Sequence, residues 1–156
     1  MSENSLYQGQ VFEMARLQFV SVADHLEIPL DERERLFLPK RAISVSYPIH
    51  RDDGSTAVFQ GFRVQHHLTL GPTKGGTRFA PTVDVGEIAA LAIWMSWKCA
   101  LAGLPYGGAK GHANVVPMQK VEDARNPHPA SELTPAQAAN RLAAIAQFVR
   151  LVVAIE

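Results

Sequence analysis

Lysines are uncommon between glycines and inside apolar helices, and this chain has them in both places. Lys74 stands in Gly71-Pro72-Thr73-Lys74-Gly75-Gly76-Thr77-Arg78, Lys98 is the one cation of the apolar run from Val85 to Ala102, and Lys110 follows Gly107-Gly108-Ala109. Glycine has no Cβ, so backbone and ligand approach closely beside it. A lysine within an apolar helix must find an anion or give up its proton. Together the three describe a pocket for an anionic small molecule. The same spacing also fits Lys74 and Lys110 as solvated loop residues, with Lys98 reaching the surface along its aliphatic stem. Short motifs recur by chance, and spacing alone leans to that second account.

The elements that must carry these residues follow from periodicity. Val11, Met14, Ala15, Phe19, Val22 and Leu26 recur at three- and four-residue spacings, which predicts an amphipathic helix over about Tyr7–Leu26, ended by Pro29. Asp31 is a candidate cap for a second short helix that Pro39 closes. Ile43, Val45 and Tyr47 alternate with Ser44 and Ser46, and Val58, Phe62 and Val64 continue at period two beyond the turn Asp52-Asp53-Gly54-Ser55; a β-hairpin is expected. Leu70 to Pro81 lacks a period and reads as a loop. Asp84 can cap a helix from Val85 to Ala102, apolar nearly all round and so expected to be buried, with Gly103 as its stop. Gly107-Gly108 reads as a tight loop, and Ala109 to Val116 as a candidate strand with Lys110, His112 and Asn114 on one side. Pro117 to Pro129 reads as a linker, and Thr134-Pro135 as the start of a helix running to the end.

Composition narrows the class. With 156 residues, 47% apolar and 19% charged, the chain has globular proportions and length for one domain. The formal net charge of zero gives no footing for nucleic acid or an acidic membrane surface. Cys99 is the single cysteine, which excludes an internal disulfide or a multi-thiolate metal site. No basic, then apolar, signal opens the sequence, and Ile88 to Trp97 is too short to span a bilayer; a cytoplasmic protein is expected.

Four motifs in order then give the chain a relative. Gly61-Phe62-Arg63-Val64-Gln65-His66-His67, the Gly71–Arg78 loop, Trp97-Lys98-Cys99-Ala100 and Pro105-Tyr106-Gly107-Gly108-Ala109-Lys110-Gly111 closely resemble the N-terminal domain of the glutamate/leucine/phenylalanine/valine dehydrogenases. The resemblance is strong from about Arg41 to Gly111 and extends back to Tyr7. It implies that Lys74 holds the side-chain carboxylate of a substrate such as glutamate, that Lys98 binds the α-carboxylate, that Met95 lines the same pocket and that Lys110 is the catalytic lysine assisting water attack on an imine carbon. It implies NAD or NADP as hydride acceptor and an amino acid/2-oxo acid pair as substrate. Relatives acting on branched or aromatic amino acids carry an apolar residue in place of Lys74. A charge-assisted contact of this kind contributes about 1.5–3 kcal/mol, which favours glutamate.

Beyond Gly111 the pattern departs: His112 stands where the family has a second glycine, and Val116-Pro117 where it has Asp-Pro. The family's catalytic aspartate segment has no match, and no Gly-x-Gly-x-x-Gly follows a strand, so no cofactor-binding residue is assigned. The expectation is one substrate-binding and oligomerisation domain over 1–156, family-like over about 7–111 with a divergent tail over 112–156, without the Rossmann half. Two origins fit this expectation, a truncated or frame-shifted product, which the sharp break at Gly111 favours, or a short natural relative, and the chain is expected to be inactive alone. The fold expected is α/β, a small mixed or largely antiparallel sheet flanked by helices. Apolar surplus on the first helix and on the strand from Val58 to Val64, with Phe59 facing outward, predicts a homo-oligomer or an assembly with a full-length homologue.

Other chemistries are weaker. Gly103 to Lys110 approaches a phosphate loop, but Ala109 sits at the lysine position. His66-His67 lacks a third metal ligand, and neighbours on a strand point to opposite faces, one inward and one outward. Cys99 is best read as a buried, inert thiol. Trp94 and Trp97 fit core or subunit contacts. Asp84 and Glu87 are accounted for by capping and the helix dipole.

Overall fold

The computed structural model describes residues 6–50, 53–80 and 82–113. The linker and terminal helix expected after Ala113 lie outside them, as do Asn114 and Val116-Pro117.

Helix α1, Gln10–His25, buries Phe12, Ala15 and Ala23; of the stripe expected from spacing only Ala15 is fully buried, Val11 and Phe19 pack partly against the core, and Met14, Val22 and Leu26 are exposed, so the buried face is turned from the one expected. It stops before Pro29: Glu27 takes a left-handed conformation at φ 52°, and Ile28 N–H donates to the Ala23 carbonyl at 2.9 Å. Pro29 instead caps α2, Leu30–Phe37, which places Asp31 inside the first turn, where its charge meets the helix dipole, and not at the cap. Arg33 joins the two helices, donating to the Ile28 carbonyl at 2.8 Å and to Asp24 Oδ1 at 2.6 Å. Leu38 is extended before Pro39, as the proline ring requires of the residue preceding it.

Strands β1, Arg41–His50, and β2, Thr56–Gln65, form the expected antiparallel hairpin, paired from Arg41↔Gln65 to His50↔Thr56. At its turn Gly54 has φ 82° and Ser55 N–H donates to Asp53 Oδ1 at 2.8 Å.

The segment from Leu70 to Pro81 is more ordered than a loop. It supplies β3, Thr73–Lys74, and β4, Thr77–Phe79, both parallel to β5, Gly107–Ala113. Gly107-Gly108 is correspondingly the start of β5 and not a tight loop. β5 lies inside the sheet, antiparallel to β2 on one side and parallel to β3 and β4 on the other. The sheet is therefore mixed, and with its helices it makes the α/β domain expected. The close parallel approach depends on Gly75, where a Cβ would lie 1.5 Å from the Ala109 carbonyl oxygen.

Helix α3, Val85–Leu101, is capped by Asp84, whose Oδ1 accepts from Glu87 N–H at 2.7 Å, and is stopped by Gly103 at φ 64°. It packs on β5 and β2, and α1 packs on α3. Phe12, Ala15, Phe37, Val64, Ile88, Ala89, Ala90, Ala92 and Ile93 form the core between them. The expectation of a wholly buried helix holds only for its first three turns. At its C-terminal end Lys98 and Ala100 are exposed, and Leu101 is 91% exposed.

A second apolar cluster lies on the opposite face of the sheet, where buried Tyr47 and Ala113 collect Val45, Ile49 and Phe59. Phe59 stacks on Tyr47 with ring centroids 6.0 Å apart and is half-buried, so it is not the outward residue expected of β2; that residue is Val58, 67% exposed. Among the described residues no helix is long and apolar enough to cross a membrane, and no group of three or more His, Cys, Asp or Glu side chains is placed to hold a metal ion.

Candidate functional site

The three lysines reach their positions on three different elements, and one residue, Gly108, relates them. β3 pairs Lys74 with Gly108, so Lys74 stands two residues before the level of Lys110 along the parallel strands. Past Lys74 the chain passes Lys110 through Gly75-Gly76: Gly111 N–H donates to the Gly76 carbonyl at 3.0 Å, and a Cβ built on Gly76 would lie 3.9 Å from Lys110 Nζ. The open space left by Gly76 is thus beside the Lys110 amine. Lys110 is half-buried and Lys74 exposed.

Lys98 comes from α3. That helix meets β5 at Gly108, where any side chain would strike Ser96 N at 2.2 Å and the Ala92 carbonyl at 2.3 Å. Two residues beyond Ser96, Lys98 is exposed in the last turn of the helix. It is therefore not enclosed by apolar residues. Met95, half-buried, precedes Ser96.

Of the polar groups around Gly108, His66 lies in the first family motif, whereas Ser96 lies in none. Ser96 Oγ accepts from Gly108 N–H at 2.9 Å and lies 2.9 Å from His66 Nδ1. His66 N–H donates to the Gly108 carbonyl at 2.8 Å. The His66 ring is buried; its Nε2 lies 3.0 Å from the Phe37 carbonyl, and that of His67 lies 2.8 Å from the Leu36 carbonyl. Both histidines lie beyond the end of β2 and bind the last turn of α2, so strand alternation does not turn one of them outward. Burial, then the neighbouring His67, push the His66 pKa down to about 3. Burial also lowers His67.

His112, where the family pattern has glycine, is fully buried. Its ring stacks on Phe62 at 6.2 Å, Nδ1 donates to the Arg78 carbonyl at 3.0 Å, and Nε2 has no hydrogen-bond partner among the described residues. Burial lowers its pKa. Trp94 donates to Gln18 Oε1 of α1 at 2.8 Å and Trp97 packs on the core, so both serve packing. Cys99 is buried and free.

The chain is thus an α/β domain: a mixed sheet with the glycine-flanked Lys110 on its inner strand and Lys74 on the neighbouring β3, packed against a capped apolar helix. Residues 39–127 match the Glu/Leu/Phe/Val dehydrogenase dimerisation domain, more than half the chain, and the chain belongs to that family. The match runs past Gly111, so His112 and Pro117 fall inside it. The chain is 46% identical over 117 residues to a glutamate dehydrogenase of Thermotoga maritima, covering 75% of this chain and 27% of that protein. Among solved structures, a glutamate dehydrogenase from Peptoniphilus asaccharolyticus superposes with a TM-score of 0.67 at 38% identity, over 73% of this chain and 29% of that one. The hetero-hexameric glutamate dehydrogenase of Thermus thermophilus, in a leucine-bound form, gives a TM-score of 0.63 at 33% identity over 85% of this chain and 29% of its own. The chain spans about a quarter of the length of such relatives.

Proposed function

We propose that this chain is the substrate-binding and subunit-contact domain, one unit over residues 1–156, of a glutamate-dehydrogenase-type enzyme. The observation that carries the reading is the pairing of β3 with β5, which sets Lys74 level with Gly108 and leaves Gly76 beside the Lys110 amine; Lys98 stands on the exposed last turn of α3, two residues past the serine that binds Gly108. Lys74 reads the distal carboxylate of glutamate or 2-oxoglutarate, Lys98 the α-carboxylate, and Met95 flanks the carbon chain. Lys110, at the space left by Gly76, is the catalytic lysine at the substrate Cα. NAD or NADP, the family's hydride acceptor, supplies the oxidation of the amino acid to the 2-oxo acid and ammonia. Calorimetric titration tests the reading. Lys74→Leu weakens 2-oxoglutarate by roughly tenfold or more and norvaline by less than twofold, as loss of one charge-assisted contact of about 1.5–3 kcal/mol requires. Equal losses for both ligands would show that Lys74 does not read the distal carboxylate.

A second reading is favoured by α1, whose outer side leaves Met14, Leu17 and Val22 exposed beside its buried stripe. On this reading the chain is a catalytically silent assembly or regulatory partner of a full-length homologue. Co-purification with such a homologue, combined with no affinity for 2-oxoglutarate, would select it.

A further inference from the structure

Carbonyl oxygens only accept hydrogen bonds, which fixes the protons around His66. Its Nε2 faces the Phe37 carbonyl at 3.0 Å, so Nε2 carries the hydrogen and Nδ1 is left with its lone pair. Nδ1 therefore accepts the Ser96 hydroxyl hydrogen across 2.9 Å. That leaves the Ser96 Oγ lone pairs for Gly108 N–H, also at 2.9 Å. Every link has one direction: Gly108 N–H to Ser96 Oγ, Ser96 O–H to His66 Nδ1, and His66 Nε2–H to Phe37 O. The main chain of His66 holds the other side of Gly108, donating to its carbonyl at 2.8 Å. A single residue of β5 is thus held at both its N–H and its C=O, by α3 and by the segment after β2.

We propose that His66 and Ser96 are positioning residues for the lysine site, setting through Gly108 the spacing of Lys74, Lys98 and Lys110. The inference rests on the proposed roles of those lysines. The geometry gives it content because the three lysines have no other shared anchor among these contacts. Lys98 follows Ser96 by two residues, Lys110 follows Gly108 by two, and Lys74 is the strand partner of Gly108. A ligand with two carboxylates spans Lys74 and Lys98, and so crosses the junction of β5 and α3 that Ser96 closes. A ligand with one carboxylate spans only Lys98 and Lys110 and makes no contact with Lys74. Loosening the junction therefore penalises the dicarboxylate more, because it misaligns one more charged contact. The neutral, Nε2-protonated form of His66 that the chain requires agrees with its lowered pKa.

The test compares Ser96→Ala and Ser96→Thr in the full 156-residue chain, with 2-oxoglutarate and norvaline as calorimetric probes. Ser96→Ala is expected to lose about fivefold to tenfold in 2-oxoglutarate affinity, the equivalent of one net hydrogen bond, and less than twofold for norvaline. Ser96→Thr, which keeps the hydroxyl, is expected to stay within about twofold of the parent for both. Equal losses for the two probes, or no rescue by threonine, would overturn the proposal and leave Ser96 a packing residue. If Ser96→Ala does not fold, Ser96→Cys takes its place, with similar volume and only a weak donor. If the parent chain binds neither probe, the proposed substrate site fails, and positioning is judged by another readout. Acetylation of Lys110 relative to Lys40, followed by mass spectrometry, should then change in Ser96→Ala and return in Ser96→Thr. An unchanged ratio would overturn the positioning role independently of any ligand.

Discussion

Burial of His66 ties stability to protons. Its pKa lies at about 3 in the folded chain, against 6.5 for an unperturbed histidine. As pH falls below 6.5 the unfolded chain takes up a proton that the native ring refuses, so the unfolded state gains. The contribution is present in full above the unfolded pKa and is lost progressively as pH falls toward the folded one, with a slope approaching 1.4 kcal/mol per pH unit, roughly the linkage limit for one proton. His67 and His112, both lowered by burial, act with the same sign. Urea unfolding between pH 7 and pH 5 should show the parent losing stability faster than His66→Gln. Parallel pH dependences for the two would show that His66 is not the group titrating. The lysines were legible in the sequence because glycines flank two of them and an apolar run surrounds the third. The serine that links them was not. Ser96 is an ordinary helical residue, and its partners His66 and Gly108 lie 30 and 12 residues away, beyond the reach of any local pattern.

Periodicity reads an element well when the element is long enough to bury a face by itself. Helix α1, the β1–β2 hairpin and the Asp84 cap of α3 follow from spacing and residue type. β3 and β4 do not, because strands of two and three residues have no period and exist only through pairing with β5, about 30 residues later. The cap of α2 likewise departs from residue type: Asp31 is the better capping side chain, but Glu27 reverses the chain early and leaves Pro29 at the boundary. α1 also shows more apolar residues than its buried stripe uses, since Met14, Leu17 and Val22 remain on its outer side. The proposed subunit-contact role would cover this side of α1, most commonly with a second copy of the chain. Leu17, 56% exposed, is the position to perturb. Leu17→Asp should convert an oligomer of the parent chain to monomer by light scattering without lowering its melting temperature by more than about 2–4 °C, the equivalent of roughly 1 kcal/mol. A parent chain that is folded and monomeric at high micromolar concentration would defeat the subunit-contact role.

For the molecule as a whole, the proposed function separates binding from turnover. The lysines proposed to hold a substrate lie in this chain, whereas its sequence contains no Gly-x-Gly-x-x-Gly fingerprint for a dinucleotide. The expected outcome for purified chain with glutamate and NAD or NADP is no sustained rise in reduced-nucleotide absorbance, alongside measurable 2-oxoglutarate affinity. Steady turnover would refute the assignment of this chain as a substrate-binding domain that does not act alone.

The position of β5 has a consequence for the order in which the molecule is made. The strand that completes the sheet is the last one in the described chain, yet it lies inside the sheet, with β2 on one edge and β3 and β4 on the other. Until residues 107–113 arrive, β3 and β4 have no partner, whereas the β1–β2 hairpin is already local and complete. Closing these long-range pairs is the slow part of such a topology. The amides of Gly107 and Gly111, which donate to the Pro72 and Gly76 carbonyls at 3.0 Å, report that step. In hydrogen exchange both should become protected together during refolding, later than the amides of Ile43 to Ile49 that face β2. Protection of Gly107 before the hairpin would place the Lys74 segment first. Otherwise the strand carrying Lys110 and the segment carrying Lys74 acquire their structure in the same event, and no intermediate holds half of the proposed site.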